Sequence, residues 1–435
     1  MQDNKGPNAM KIEMLSTGDE VLQGDIADTN AAWCGQELNE LGLSFSRRQT
    51  VADNMDDIVD ALQQAAERSD WVLVNGGLGP TSDDLSAEAA ARLTACELEL
   101  NQGWLKQLKA WYVAQNTKMP ESNIKQAMLP KGAVVVDNPI GTACGFIVEH
   151  AGAKLIFTPG VPSEFKRMLK EQWFPQLIAA APNAQAKVKR FYTFGLSESS
   201  LSDRFNDLAL PEGVHLGYRS ARPSIEVKLF YPREAPQYDQ LSQVVRNELA
   251  DHVFTEDQGN WALHLQQLMI AQGKKLALAE SCTGGMLAAE LIAVAGSSAY
   301  LDRGFVTYSN QAKQQSIGVP LATIEKYGAV SIETSQAMAL GALKHSEADI
   351  ALSVTGIAGP SGGSEDKPVG TVCFTLAEGD KCISQQLLLS NRSRSVVRIM
   401  STAVAMDMLR RYLTGSPVLG EYQHLKRIHS ADRIL

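Results

Sequence analysis

Short apolar runs alternate with amphipathic stretches along most of this chain, and this alternation restricts the fold more than any other feature of the sequence. An apolar run, a helical stretch and a second apolar run are typical of strand-helix-strand units, which build a mostly parallel sheet. In the first part, helices are predicted over "TNAAWCGQELNELG" (29–42), which closes at a glycine, and over 56–67. The predicted strands are "KIEML" (11–15), "DWVLV" (70–74), "AVVV" (133–136) and "KLIFT" (154–158).

For a chain of 435 residues, about three domains are expected. The lengths of the apolar and helical segments change along the chain. Between Phe165 and Phe254 the apolar and helical units are shorter, which predicts a small α+β domain. The α/β alternation then returns, with strands near 275–279, 303–308, 350–354, 369–377 and 382–389 and a long helix over 394–413. The predicted division is a first domain at 10–165, a small connecting domain at 166–255, a linker at 256–260, a third domain at 261–418, and a peripheral polar tail at 419–435.

Charge and composition argue against several classes of function. Lys and Arg number 40 against 49 Asp and Glu, and without a long basic run we expect no direct contact with nucleic acid. The six cysteines are dispersed, which predicts reduced thiols in a cytoplasmic protein. A polar start and the lack of about 18 continuous apolar residues argue against export and against membrane insertion. The seven histidines lack metal-ligand spacing, which argues against a structural zinc site.

A glycine-rich loop, "VNGGLGPTSDD" (74–84), separates a predicted strand from a predicted helix. Gly77 and Gly79 let the backbone approach a ligand closely, and the N-terminus of the following helix favours a phosphate or pyrophosphate. Asp83 and Asp84 beside a polyphosphate would indicate a divalent cation between the two. The alternative is that these acids only complement the helix dipole.

Four segments of the first part resemble, in order, the molybdopterin-binding-like domain of the competence/damage-inducible protein CinA family. The segments are "STGDEVLQGDIADTNAAWCGQELNELG" (16–42), "NGGLGPTSDD" (75–84), "NPIGTACGF" (138–146) and "TPGVPSEF" (158–165). The resemblance implies a three-layer α/β domain that binds nucleotide-like or pterin anions, with ADP-ribose pyrophosphatase activity that depends on a divalent metal such as Mg or Co. It places at the ligand and the metal Glu20, Asn30, Gly77, Gly79, Thr81, Asp83 and Asp84, of which Asp83 and Asp84 are the metal ligands.

One position departs from the family pattern. Cys144 stands where the family commonly has the proline of "GxAPGF". Proline fixes its own backbone angle and has no N–H, so the loop conformation can differ, which bears on the hydrolase activity and not on the fold. A domain that only binds a pterin is the alternative, and it predicts no phosphate release from ADP-ribose with any divalent metal.

In the second half, "AESCTGGMLAAE" (279–290) places Cys282 among small polar residues between a predicted strand and a helix. A reactive cysteine needs a base or a positive charge beside it, and the nearest histidines in sequence, His264 and His345, give no such signal. We therefore interpret Cys282 as a packing residue. The surrounding polar loop at a helix N-terminus predicts an anion-binding site formed by Ser281, Thr283, Gly284 and Gly285.

The segment "AGSSAYLDRGFVTYSNQAKQQSIGV" (295–319) contains Ser298, Tyr308 and Lys313. A serine must lose its proton to a base before it attacks, and a buried, neutral lysine can be that base. A tyrosine hydroxyl can relay the proton, so this set suits amide hydrolysis without histidine or metal. From the residues alone, the alternative is a helix-capping serine, a core tyrosine and a solvated lysine.

A third loop lies within "ALSVTGIAGPSGGSEDKPVGTVCF" (351–374), where a buried strand ends at Thr355 and Gly356. Its backbone N–H groups can point at a phosphate or at a developing oxyanion. The segment after the next strands contains Arg392, Arg394 and Arg398, which can clamp the phosphate of a ligand; the alternative is that they are solvated on the surface of a helix.

Segments of this half resemble the C-terminal domain of the same family, the nicotinamide mononucleotide deamidases: "AESCTGG" (279–285), "AGSSAYLDRGFVTYSNQAK" (295–313), "YGAVS" (327–331) and "VTGIAGPSGGSEDKPVGTV" (354–372). The resemblance implies hydrolysis of the carboxamide of nicotinamide mononucleotide to nicotinic acid mononucleotide and ammonia, without a cofactor. Joined to the residues above, it assigns Ser298 as nucleophile, Lys313 as base and Tyr308 as its assistant. Substrate binding is assigned to Ser281, Thr283, Gly284, Thr355, Gly356, Arg394 and Arg398.

The two implied activities fit one purpose. The first opens ADP-ribose at its pyrophosphate, and the second recycles the mononucleotide left by NAD consumption. A homodimer is expected, because relatives of the first domain often associate. The alternative is a protein whose domains only bind ligands and which acts as a scaffold in DNA uptake or the damage response.

Overall fold

The structure is a computed structural model that describes residues 10–181, 186–232, 237–257, 259–389 and 393–434. It divides into two compact units, Met1–Lys187 and Val188–Leu435. Each unit is built on its own six-stranded sheet, and the second unit also contains a four-stranded sheet.

The described residues of the first unit form eight strands. They are β1 (Ile12–Thr17), β2 (Phe45–Val51), β3 (Trp71–Asn75), β4 (Leu98–Leu100), β5 (Met128–Pro130), β6 (Val134–Val136), β7 (Gly145–His150) and β8 (Ala153–Thr158). The main sheet has the order β2-β1-β3-β8-β7-β6, and β4 pairs separately with β5. The first four strands of the main sheet run parallel, while β7 and β6 are antiparallel, so the predicted mostly parallel sheet is confirmed.

Helices cover both faces of this sheet. They are α1 (Asp19–Leu22), α2 (Thr29–Glu40), α3 (Met55–Arg68), α4 (Ser86–Leu93), α5 (Gln102–Ala114), α6 (Pro162–Met168) and α7 (Phe174–Ala180). Because side chains alternate along a strand, Met14 of β1 packs in the core beside α2 and α6, whereas Leu15 packs in the core beside α3 and α4. The unit therefore has the three layers that the resemblance implied.

The first unit extends further along the chain than predicted. The segment from α6 to α7 buries Phe165, Trp173 and Leu177 completely in the core beside α2. A boundary at 165 would remove these side chains from that core, so the small domain predicted to begin at 166 begins too early.

The second unit opens with a small α+β part. It consists of β9 (Ala186–Thr193), β10 (His215–Ala221), β11 (Ser224–Pro232), β12 (Val253–Glu256), α8 (Glu198–Phe205) and α9 (Tyr238–Leu249). The strand order is β10-β11-β9-β12, and the two helices bury Leu201 and Val245 in a core shared with the sheet.

A three-layer α/β part follows. Its strands are β13 (Leu276–Glu280), β14 (Leu301–Val306), β15 (Ile350–Gly356), β16 (Thr371–Glu378), β17 (Lys381–Leu388) and β18 (Lys426–Ile434). Its helices are α10 (Trp261–Ala271), α11 (Met286–Ile292), α12 (Asn310–Ile317), α13 (Leu321–Tyr327), α14 (Ile332–Lys344) and α15 (Arg394–Leu413). The order is β14-β13-β15-β16-β17-β18, with β13 parallel to both its neighbours and the other pairs antiparallel. The core on one face contains α10, α11 and α15, and the core on the other contains α12, α13 and α14.

The polar tail predicted to be peripheral is part of this sheet. β18 pairs with β17 from Leu388↔Lys426 to Lys381↔Ile434, and it forms one edge. Upstream of it, Tyr422 is 6% exposed and donates to Asp407 at 3.0 Å. An edge strand has one unpaired side, so it tolerates the polar residues that concealed this strand in the sequence.

The predicted linker at 256–260 does not separate two compact units. Asp251 precedes it, and the backbone carbonyl of Asp251 accepts hydrogen bonds from Arg410 at 2.8 Å and Arg411 at 3.0 Å, both on α15. Phe254 packs in the core of the three-layer part. These contacts join the small part to α15. Of the predicted linker, residue 258 lies outside the described residues.

Helix α15 has 20 residues and is buried along most of its length. It carries a buried ion cluster in which Asp407 accepts from Arg410 and Arg411, each at 2.7 Å. Such charges interrupt its apolar surface. Within the part of the chain that the structure describes, no helix is long and apolar enough to cross a membrane.

None of the six cysteines forms a disulfide bond. Cys96 is half-buried, and the buried ones are Cys34, Cys144, Cys282, Cys373 and Cys382. Burial raises the pKa of Cys144 and of Cys373 to about 12, so both thiols stay protonated at neutral pH.

Candidate functional site

The C-terminal ends of β13 and β15 lie side by side, because these neighbours are parallel. They belong to the side of the second unit's main sheet where parallel strands end, which we call the C-terminal edge. Ligand sites of open α/β sheets form outside such ends. The loop after β13 contains Ser281 to Gly285, and the loop after β15 contains the glycine-rich segment. The start of α15 joins both loops. Arg398 donates to the Thr283 carbonyl at 2.8 Å and 3.2 Å, and Arg394 donates to the Gly359 carbonyl at 2.9 Å.

Lys313 is buried at this edge. It lies on α12, is 1% exposed, and its Nζ donates to Ser281 Oγ at 3.0 Å and to the Thr307 carbonyl at 2.8 Å. Burial lowers the pKa of Lys313 to about 8, an effect that the Cys282 thiol opposes only in part. Among the described residues, no carboxylate forms an ion pair with Lys313. A neutral amine here can take a proton from the Ser281 hydroxyl.

Ser298 lies on the opposite side of the sheet, where the parallel strands begin. It belongs to a 3-10 turn, Ser297–Ala299, before β14, and the following Tyr300 accepts from Leu276 N–H at 2.7 Å at the start of β13. Ser281 follows the end of β13, and five strand residues span roughly 16 Å. Lys313 therefore cannot reach Ser298, and the prediction of Ser298 as nucleophile is wrong. Ser281, predicted to bind substrate, has the position that a nucleophile needs.

The order of elements along the chain distinguishes the two serines. Ser281 directly follows the apolar run of β13, whereas Ser298 precedes the run of β14. In a parallel sheet, residues that follow strands share the functional edge, and residues that precede strands lie at the other edge. Position relative to the strand thus distinguishes the two serines, while residue type and spacing do not.

Tyr308 is 60% exposed, and its hydroxyl accepts from Arg394 Nη2 at 3.0 Å. The hydrogen bonds that Lys313 makes go to Ser281 and Thr307, so Tyr308 is linked to the arginine and not to the lysine. This arrangement contradicts the predicted direct assistance of Lys313 by Tyr308. Arg392, the third predicted arginine, lies outside the described residues.

Glu280 was not among the residues predicted for this site. This residue is 1% exposed, and its carboxylate accepts the backbone N–H groups of Gly285 at 3.0 Å, Leu287 at 3.1 Å and Ala288 at 2.8 Å. The start of α11, which was predicted to bind a ligand anion, is therefore filled by the protein's own carboxylate. Glu280 fixes the loop that carries Ser281.

The remaining predicted residues surround this loop. Thr283 is fully buried, and its Oγ1 has no hydrogen-bond partner in the described part of the chain. The Thr355 hydroxyl donates to the Ala329 carbonyl at 2.8 Å. Gly356 packs closely, since a Cβ there would lie 2.8 Å from Val372 Cγ2, and Gly284 lies beside Arg398. Thr355 and Gly356 thus shape the site.

Cys282 is 5% exposed and belongs to the apolar core. Burial raises the pKa of its thiol to about 12, despite the nearby positive charge of Lys313. A thiol that stays protonated is a poor nucleophile, which supports the packing interpretation.

The first unit contains a cavity of about 510 Å³ at the ends of β1, β3 and β8. Among the residues predicted for this site, those that line the cavity are Glu20, Asn30, Gly77, Gly79, Asp83 and Asp84. Thr81 lies in the same loop, where its backbone N–H donates to Asp84 at 2.8 Å and its hydroxyl donates to the same carboxylate. Asp84 therefore stabilises its own loop, and Asp28, Asp53 and Glu164 are acidic lining residues that the prediction missed.

Asn30 and the glycine loop shape the inner wall of this cavity. The Asn30 amide donates to the Gly160 carbonyl at 2.8 Å and to Asn75 Oδ1 at 3.3 Å. Its own Oδ1 is buried without a partner among the described residues, so it can accept from a ligand or bind a cation. Gly77 has φ +66°, and a Cβ there would lie 2.5 Å from Ser86 Oγ, so the loop requires glycine at this position.

Several acidic side chains line this cavity. Burial raises the pKa of Asp53, and the charges of Asp19, Glu20 and Asp83 raise it further, while the Asp19 backbone N–H lowers it. Oxygen donors of this kind suit a hard divalent cation. Within the described ranges, no group of three or more His, Cys, Asp or Glu side chains is close enough to hold a metal ion.

Cys144, which stands where the family commonly has a proline, is buried. It is 2% exposed, packs in the core beside α3 and α4, and its Sγ contacts the Gln126 carbonyl at 3.9 Å. Gln126 itself lines the cavity.

Comparison with known proteins gives matches over both units. Residues 259–413 match the family model described as CinA C-terminal domain, and residues 13–179 match the one described as Probable molybdopterin binding domain. The CinA-like protein of Shewanella loihica is 49% identical over 426 residues, which is 96% of this chain and 99% of that protein. The nicotinamide-nucleotide amidohydrolase PncC of Shewanella oneidensis is 47% identical over 422 residues, again 96% of this chain and 99% of that protein.

Among solved structures, the competence/damage inducible protein CihA of Agrobacterium tumefaciens is 41% identical. The match covers 35% of this chain and 93% of that one, with a TM-score of 0.34. The full-length relatives at nearly half identity span both units and every segment on which the resemblance rests. The chain therefore belongs to the CinA family.

Proposed function

We propose that the second unit hydrolyses the carboxamide of nicotinamide mononucleotide to nicotinic acid mononucleotide and ammonia. The observation that carries this proposal is the buried Lys313 Nζ, 3.0 Å from Ser281 Oγ and without an ion-pair partner among the described residues. A serine with a lysine base suits amide hydrolysis. The name of the Shewanella oneidensis relative, nicotinamide-nucleotide amidohydrolase, supports the choice of substrate.

In the first half of the proposed reaction, neutral Lys313 takes the proton of Ser281 as Oγ attacks the carboxamide carbon. The backbone N–H groups of Cys282 and Thr283 directly follow the nucleophile in the chain, and that of Thr283 has no acceptor in the described part of the chain, so they can stabilise the oxyanion. The C–N bond then breaks, Lys313 returns the proton to the leaving nitrogen, and ammonia departs. The acyl group remains as an ester on Ser281.

In the second half, Lys313 takes a proton from water, and the hydroxide that forms attacks the ester carbon. The Ser281–acyl bond breaks, and Lys313 returns its proton to Ser281 Oγ. The product is the carboxylic acid, which loses its remaining proton to solvent and leaves as nicotinic acid mononucleotide. The Thr307 carbonyl, 2.8 Å from Lys313 Nζ, holds the amine in place through both halves.

The phosphate of the substrate needs a positive partner other than the start of α11, which Glu280 fills. Arg394 and Arg398 lie at the same edge and each guanidinium has five N–H donors, of which the loop carbonyls and Tyr308 use only some. We assign the phosphate to these arginines, with exposed Tyr308 beside them.

This proposal is tested by measuring ammonia and nicotinic acid mononucleotide from nicotinamide mononucleotide in the presence of a metal chelator. We expect equal amounts of both products, because each turnover releases one molecule of each. We expect the chelator to leave the rate unchanged, because the proposed site uses no metal. Nicotinamide riboside, which lacks the phosphate, is the matched substrate, and we expect at least about a tenfold lower kcat/KM for it. Absence of ammonia from the mononucleotide would contradict the proposal.

For the first unit we propose hydrolysis of ADP-ribose at its pyrophosphate. The cavity of about 510 Å³, with a glycine-rich loop, carboxylates and the unpartnered Asn30 Oδ1, supports a ligand that combines a pyrophosphate with a divalent cation. Asp83, Glu20 and Asn30 would hold the cation, and pyrophosphate oxygens would complete its coordination, since no three described acidic side chains converge. The bound cation would supply charge neutralisation at the pyrophosphate.

Removal of one carboxylate tests this second activity. We expect Asp83→Asn to lower the release of AMP from ADP-ribose with Mg²⁺ or Co²⁺ by at least about tenfold, because it removes one cation ligand. Asp57→Asn, at an exposed acid on α3, is the matched control and should retain the activity. If the unaltered chain releases no AMP with any divalent metal but binds a pterin tightly, the pterin-binding alternative replaces this proposal.

A further inference from the structure

A separate cavity of about 520 Å³ lies in the second unit, between α11, α15, the start of α10 and the turn that joins β10 to β11. None of the residues proposed for the amidase chemistry or for phosphate binding lines it. Its volume falls within the range of small-molecule sites.

The buried residues that line this cavity are apolar except for one hydroxyl, and half-buried Ser224 and exposed Asn260 also line it. Ala403 and Met406 line it and are buried, and Trp261 and Met286 line it and are half-buried. Thr402 also lines it, is 6% exposed, and its Oγ1 has no hydrogen-bond partner among the described residues. A buried hydroxyl without a partner is unfavourable, so a molecule that bonds to it gains a hydrogen bond that the protein leaves unmade.

Two opposite charges lie at the entrance. Arg222, in the turn between β10 and β11, and Glu290, on α11, both line the cavity and are both exposed. Neither forms an ion pair with any residue that the structure describes, and they do not pair with each other. A ligand that carries one negative and one positive group can satisfy both.

We propose that this cavity binds a small zwitterion with an aromatic body. The anionic group pairs with Arg222, the cationic group pairs with Glu290, and the aromatic body packs against Trp261 with a polar atom near Thr402. Two kinds of molecule share this chemistry: an aromatic amino acid, and a nucleotide with a pyridinium ring such as nicotinamide mononucleotide.

The two helices that form the cavity walls also hold the loop of Ser281. On α11, Met286 and Glu290 line the cavity, while the N–H groups of neighbouring Leu287 and Ala288 bind Glu280. On α15, Thr402 lies one turn beyond Arg398, which binds the Thr283 carbonyl. A ligand that contacts both helices stabilises this arrangement, so we expect its binding to raise the rate of deamidation. That consequence for the rate rests on the proposed amidase function, whereas binding does not.

The binding test uses isothermal titration calorimetry on the full chain with Ser281→Ala, which prevents turnover. The probes are L-tryptophan and nicotinamide mononucleotide, and uncharged indole serves as the comparison ligand. We expect one equivalent of L-tryptophan to bind, or a second equivalent of nicotinamide mononucleotide beyond the one at Ser281, with indole at least about tenfold weaker. The probe that binds identifies the class of ligand.

Arg222→Gln and Glu290→Gln test the charge pair, and both are exposed substitutions that leave the core intact. Each should weaken the cavity binding by about tenfold, and Thr402→Val, which keeps the shape and removes the hydroxyl, by several-fold. Arg48→Gln and Glu212→Gln, at exposed sites outside the cavity, are the matched controls. Binding that all three cavity variants retain, or no cavity binding by either probe, overturns the proposal.

The kinetic test adds the probe that binds to the unaltered chain and measures ammonia release. We expect a higher rate that Glu290→Gln no longer shows. An unchanged rate with the cavity saturated overturns the coupling to the loop and leaves the binding site in place. A chain that binds L-tryptophan but releases no ammonia from nicotinamide mononucleotide contradicts the proposed amidase function and not the cavity site.

Discussion

Replacement of Ser281 by alanine is expected to lower kcat for deamidation of nicotinamide mononucleotide by about 10⁴-fold. The change removes the oxygen 3.0 Å from Lys313 Nζ, and no ester intermediate can form without it. Substrate binding should change little, because the arginines and the surrounding loops remain. The measurement is ammonia release under saturating substrate, with KM or the dissociation constant determined separately.

Ser298→Ala and Cys282→Ala are the informative controls for that result. Ser298 lies at the other edge of the sheet, so its loss should leave kcat within about twofold. Cys282→Ala should reduce stability slightly through lost packing and leave the chemistry intact, because the buried thiol stays protonated. An inactive Ser298→Ala variant together with an active Ser281→Ala variant would reverse our assignment of the nucleophile.

Replacement of Lys313 by methionine is expected to abolish deamidation to a similar extent, because among the described residues Lys313 supplies the one hydrogen bond to the Ser281 hydroxyl. Lys313→Arg should be equally inactive, since the guanidinium stays protonated at accessible pH. In the unaltered chain the base is the neutral amine, and its pKa is lowered to about 8. The value of kcat/KM should therefore rise with pH up to about 8 and then level off, and a flat profile from pH 6 to 9 would contradict the assignment.

The same lysine should destabilise the fold at neutral pH. Its pKa is about 8 in the folded chain against an ordinary value of 10.5. Between these two values the unfolded chain binds more protons, so stability rises with pH across that window, and below pH 8 the full penalty is present. Lys313→Met removes the penalty but also the hydrogen bonds to Ser281 and Thr307. We expect it to stabilise the second unit at pH 7 by about 1–3 kcal/mol, and to lose that advantage near pH 10.

This stability effect is measurable by urea denaturation at the two pH values. A change in the midpoint at pH 7 that is absent at pH 10 would identify the buried charge as its cause. Lys344→Met, at the exposed end of α14, is a matched control without a penalty to remove. An inactive variant that is more stable than the original chain would also exclude misfolding as the reason for lost activity.

Much of the fold could be predicted from the sequence because periodicity reports burial. β1, β3 and β8 were predicted within two residues, and the predicted helix at 394–413 coincides with α15, since buried strands and long helices have clear apolar patterns. β18 was missed because an edge strand needs no apolar pattern. The helices after residue 162 were assigned to the wrong part because a boundary depends on contacts between distant residues, which no local pattern records.

The candidate site was predicted in its residue types and only partly in its geometry. Lys313 and the loop of Ser281 were found from the motifs, but the choice of serine required the strand register, which sets the edge at which each residue lies. Glu280 was missed because its role depends on three backbone N–H groups of α11, and a carboxylate near a helix start is common in sequences.

The burial of the thiols has a practical consequence for following how this protein opens. A thiol-labelling reagent should modify half-buried Cys96 first, because the other five thiols are inside the two units. Labelling of Cys34 and Cys144 would then report transient opening of the first unit, and labelling of Cys282 and Cys373 would report opening of the second. Mass spectrometry of timed samples would follow the opening of each unit in one unaltered chain, without an engineered cysteine.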